Sequence, residues 1–124
     1  MSKLEDTLAL QLRAAGIAKR FEREVRFHPT RRWRLDFADI ESRIGVEVEG
    51  TTRYGRNRDG SMRLGRHQTA KGYAEDCAKY NAAILLGWRV LRFDGEMVKS
   101  GAALATIREV LEIETTAASA AGKP

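Results

Sequence analysis

Residues 32–49 read RWRLDFADIESRIGVEVE, two runs of alternating side chains separated by a polar break. In the first run Trp33, Leu35 and Phe37 fall on one face, and in the second Ile44, Val46 and Val48 do so. A period of two is that of a strand with one face on a core. Asp39 to Ser42 supply the tight turn between the runs. Immediately upstream, FEREVRFH (21–28) alternates in the same way until Pro29 and Thr30 break it. Three strands in this order form a meander.

Outside the meander the period changes. Leu4, Leu8, Leu12 and Ala15 recur at helical spacing, which predicts a helix over 3–15 with Ser2 as its cap, Glu5 three residues on and Gly16 as its stop. A second helix is expected over 71–86, where Tyr73, Cys77, Tyr80 and Ile84 mark the apolar stripe and Gly87 ends it. WRVLRF (88–93) is a strand apolar on both sides, and a short helix over 102–111 presents Leu104, Ile107 and Leu111. The tail from 114 to 124 has no large apolar residue and is expected to be disordered. The order is α-β-β-β-α-β-α, an α/β (mixed α+β) single domain over residues 1–113. The helix between strands three and four is a crossover, so those strands are parallel in an otherwise antiparallel, four-stranded sheet. Helices should flank both faces.

At 124 residues the chain suits one domain, burying about two-thirds of its unfolded surface. No apolar run approaches the ~20 residues of a membrane span. The opening MSKLEDTLALQL has acids inside its apolar pattern and no secretory core. The single cysteine, Cys77, excludes an internal disulfide and a cysteine-built zinc site, and is expected to face the core. The cytoplasm is the expected compartment. The net charge of +5 has one source: residues 50–72 hold Arg53, Arg56, Arg58, Arg63, Arg66 and Lys71 against Asp59 alone. This Gly-containing insert is long for a loop in a small domain. Guanidinium groups match phosphate bidentately, so the segment points to a nucleic-acid backbone; a plain solvated loop is the alternative.

Asp36, Glu47 and Glu49 are acids inside strands. Glu47 and Glu49 share a face, and pairing of the second and third strands brings Asp36 beside them. Like charges on adjacent strands repel, and a divalent cation with oxygen ligands removes the conflict. A solvated sheet surface is the bland alternative. Glu5, at the margin of the first helix's apolar stripe, joins this group or serves the Ser2 cap.

This arrangement resembles the PD-(D/E)XK (restriction-endonuclease-like) nuclease superfamily. The resemblance covers residues 3–111 and is nearest to small stand-alone members related to very-short-patch-repair-like and phage resolvase-like endonucleases. It rests on Asp36-Phe37-Ala38, Val46-Glu47-Val48-Glu49-Gly50, His67, Asp76, Lys79 and the GWRVLRF run from Gly87 to Phe93. The resemblance implies a metal-dependent DNA endonuclease leaving 5′-phosphate and 3′-hydroxyl ends. It places Mg2+ or Mn2+ on Asp36, Glu47 and the Val48 carbonyl, with Glu5 as the acid of the first helix. Glu49 stands where the family's motif has lysine, so it becomes a further ligand or a general base. The displaced positive charge is then assigned to Lys79, whose alternative is an ion pair with Asp76.

His67 is read as polarising the attacking water or holding the scissile phosphate, or else as a loop contact to the backbone. Arg31, Arg32 and Arg34 join the arginine segment in lining the nucleic-acid surface. His28 carries no chemistry, and Trp33 and Trp88 are expected in the core. Resolvase-like action would need a homodimer, and RNA stands beside DNA as a partner. A catalytically inactive nucleic-acid-binding module and a protein-interaction factor on the same fold are the alternative functions.

Overall fold

Ser2 begins the first helix as its cap: its Oγ accepts the Glu5 N–H at 3.1 Å. The computed structural model describes residues 2–49 and 70–121. Helix α1 (Lys3–Ala14) buries Leu8 and Leu12, then passes through a short 3-10 turn (Ala18–Arg20) into β1 (Glu22–Arg26). Strands β2 (Arg34–Asp39) and β3 (Ile44–Val48) complete the meander. Helix α2 (Ala70–Leu85) crosses over to β4 (Arg89–Phe93), which is followed by α3 (Gly95–Ser100) and α4 (Ala102–Ala121). The sheet order is β1-β2-β3-β4, with antiparallel pairs except for the parallel β3–β4 pair. This is the mixed sheet that the crossover demanded.

Both faces are covered. One carries Leu8, Leu12, Phe37, Ile44, Val46, Phe93, Val98 and Ile107, from α1, α3, α4 and the sheet. The other carries a smaller cluster of Leu35, Ala38, Ala83 and Trp88 beneath α2. Leu35 and Phe37 therefore lie on opposite faces, which corrects the shared face expected from alternation. The break lies between them. Arg23 pairs with Phe37 and Val25 with Leu35, while Glu24 has a φ of +55°. A left-handed residue rotates the chain out of the pleat. Phe21 packs in the first cluster whereas Val25 packs against the second, so β1 changes face at the same level as β2.

Helix α2 corrects a second expectation. Its inward residues are Gly72 and Ala83, whereas Tyr73 and Ile84 are 66% and 68% exposed. Cys77 is exposed as well. Of the expected stripe only Tyr80 faces inward, beside Lys79 at the cleft, while Gly72 and Ala83 make the buried contacts. Trp88 is buried, but Trp33 is only half-buried, with the Arg31 guanidinium 4.1 Å from its ring centroid. Helix α3 was not expected. Asp94 caps it by accepting the Met97 N–H at 2.9 Å, and Gly101 at φ +88° ends it. Helix α4 runs well past its expected end at Leu111 into the stretch expected to be disordered, where Glu114 pairs with Arg89 of β4. Among the described residues no helix is long and apolar enough to cross a membrane.

Candidate functional site

The face change at Glu24 and Asp36 creates the site. It turns Asp36 toward Glu5 and Glu24, and one carboxylate oxygen from each of the three lies within 4.8 Å of the others. Asp36 Oδ2 also accepts the Val48 N–H at 2.8 Å, fixing the acid to the end of β3. A cleft of about 700 Å³ opens here, lined by Glu5, Asp36, Glu47, Val48, Glu49 and Lys79 together with Arg31, Arg32, Trp33 and Arg34. The meander, α1 and α2 all contribute to it.

Glu47 is the most constrained of these acids, at 6% exposure. Lys79 reaches it from α2 and forms an ion pair with its Oε1. Burial nevertheless pushes the Glu47 carboxyl up to about 8; the Lys79 ammonium opposes the shift and the neighbouring Asp36 adds to it. The Glu5 carboxyl is raised too, first by burial and then by Asp36 and Glu24. Glu5 Oε1 is buried and accepts no hydrogen bond, with the Arg23 guanidinium 3.9 Å away. Glu49 lies just beyond β3, where its N–H donates to the Phe93 carbonyl at 2.7 Å. Its carboxylate accepts from Arg92 Nε at 2.6 Å and from the Tyr80 hydroxyl at 3.5 Å.

The structure thus brings together Glu5, Asp36, Glu47, Val48, Glu49 and Lys79. Arg31 and Arg32, in the connection between β1 and β2, and Arg34, which opens β2, line the same cleft. Within that connection His28 Nδ1 accepts the Thr30 and Arg31 N–H groups at 3.2 and 2.9 Å, so its role is to shape the turn. Lys71 is exposed near the start of α2 and does not line the cleft. Arg53, Arg56, Arg58, Arg63, Arg66 and His67 lie outside the described residues, as does Gly50.

Three residues at the site lie beyond what the sequence pattern singles out. Glu24 could have been found from the hairpin register, since pairing Val25 with Leu35 sets Glu24 level with Asp36. Arg92 could have been found from the parallel pairing that sets it beside Glu47. Tyr80 falls on the apolar stripe expected of α2, which hides its place at the cleft. Glu5, Glu24 and Asp36 are the described residues whose carboxylates could share a cation. Compared with family models, curated proteins and solved structures, the chain matches none.

Proposed function

We propose that this chain is a metal-dependent DNA endonuclease of the PD-(D/E)XK type, hydrolysing phosphodiester bonds to leave 5′-phosphate and 3′-hydroxyl ends. The observation that carries the reading is the Asp36–Glu47 acid pair, partly withdrawn from water in a cleft bordered by Arg31, Arg32 and Arg34. Two acids side by side are unfavourable without a counter-charge; the Glu47 carboxyl is raised first by its burial, with Asp36 adding to the shift and Lys79 opposing it.

The donor set suits Mg2+ or Mn2+, being all oxygen. Glu5 Oε1 lies buried with no hydrogen bond, which leaves it able to serve as a ligand atom. On this reading Asp36, Glu47, the Val48 carbonyl and Glu5 would hold the ion; Glu5 and Asp36 already cluster with Glu24, whereas Glu47 would have to leave Lys79 to join them. Bound there, the cation would polarise the phosphodiester and lower the pKa of an attacking water. Lys79, released from Glu47, would offset charge developing on the phosphate. The three hairpin arginines would hold the flanking backbone.

A second reading is favoured by one observation: Glu47 already has a counter-ion in Lys79. On that reading the chain binds nucleic acid without cutting it. End-labelled single-stranded, duplex, flap and junction DNA incubated with Mg2+, Mn2+ or EDTA decides between them. Metal-dependent cleavage that disappears in Asp36→Ala and Glu47→Ala is the expected result. Binding without cleavage in either metal would leave the second reading standing.

A further inference from the structure

Arg92 projects from β4 beside Glu47, and three features fix its guanidinium. Its Nε donates to Glu49 Oε1 at 2.6 Å. Its Cζ lies 4.3 Å from the centroid of the Tyr80 ring, so the group is stacked as well as bonded. The Tyr80 hydroxyl reaches the same carboxylate at 3.5 Å. The Arg92 side chain is still 48% exposed. Glu49 engages the guanidinium through Nε and the Asp76 carboxylate adds to its negative surroundings, while the edge formed by the two terminal nitrogens makes no hydrogen bond to another described residue.

That is a pre-organised fork beside a cleft. A guanidinium held at Nε loses little freedom when its terminal nitrogens bind a tetrahedral anion, and two parallel N–H groups match two phosphate oxygens. The anchoring residues, Glu49 and Tyr80, themselves line the cleft. We infer that Arg92 is a phosphate-binding residue of this site, contacting the nucleic-acid backbone through its two terminal nitrogens. The inference rests on the nuclease reading and explains the acid at position 49, which holds a cation where the family motif would have carried one.

The test is binding of a fluorescently labelled DNA duplex to the full chain in EDTA, followed by anisotropy across a salt series. Arg92→Ala is expected to weaken binding roughly tenfold and to reduce the slope of log K against log salt by about one. Arg92→Lys should retain the slope, since one charge remains, while losing severalfold in affinity because the fork is gone. Arg108→Ala, on α4 at the opposite face of the sheet, serves as the control and should change neither quantity. An Arg92→Ala protein that melts like wild type and binds with unchanged affinity and slope would overturn the inference while leaving the nuclease reading intact. Failure of the wild-type chain to bind any DNA would overturn both.

Discussion

Glu47 sits between an acid and a base, so its contribution to stability depends on pH. Burial raises its folded-state pKa to about 8, against an ordinary 4.5. The folded state therefore holds a proton that the unfolded chain releases between those values. Stability is full below the ordinary carboxylate range and declines as pH rises toward 8. For the metal-free protein we expect a loss on the order of 1–3 kcal/mol between pH 5 and 8, a fall of roughly 5–15 °C in Tm. Glu47→Gln should flatten that dependence, because a neutral side chain has no proton to lose. Thermal melts of both proteins across the pH range check this. A wild-type Tm that is flat or rising over the same interval would contradict the burial argument.

The elements show how close packing and strain shape the cleft. Gly45 in β3 faces Leu35, and a Cβ there would stand 2.7 Å from Leu35 Cδ1. Leu35 is fully buried, so any shift of its side chain disturbs the cluster it packs in. Gly45→Ala is therefore expected to destabilise the domain by roughly 1–3 kcal/mol in urea unfolding, by overpacking the cluster beneath α2. Strand alternation was legible from residues 21–49 and put Asp36 in β2 and Glu47 in β3, while the helix expected over 71–86 supplied the crossover. Alternation did not reveal the change of face at Glu24 and Asp36, because a period of two assumes an uninterrupted pleat. Helical periodicity misled for α2 in a related way. The search for an apolar stripe selects Tyr73, Cys77, Tyr80 and Ile84, yet of these only Tyr80 turns inward, beside Lys79, to meet Glu49 and Glu47. Polar chemistry at a site reverses the usual sorting of faces. Helix α3 escaped notice because six residues are too few to display a period.

For the molecule as a whole, the acids should act as one unit toward a cation. Added Mg2+ or Mn2+ is expected to raise Tm more at pH 8 than at pH 5, since binding requires Glu47 and its neighbours to be deprotonated. Asp36→Asn should remove most of that shift, and differential scanning fluorimetry over a metal titration would measure it. A shift equal at both pH values, or intact in Asp36→Asn, would separate the metal from these carboxylates. Sequence pattern alone singled out Asp36, Glu47 and Glu49 because these acids interrupt strands, where a charge is conspicuous, whereas Val48 and Lys79 entered only through the family resemblance. It left out Glu24 and Arg92, which sit at positions where charged residues are ordinary until the register is known. The placement of the paired charges also bears on synthesis. Glu47 and Glu49 precede α2, whereas their partners Lys79 and Arg92 belong to α2 and β4. A nascent chain that has emerged only as far as β3 carries both carboxylates before either counter-ion exists. Burial of Glu47 and Glu49 therefore has to wait for α2 and β4, so the acidic end of the meander should reach its native surroundings only once β4 has left the ribosome.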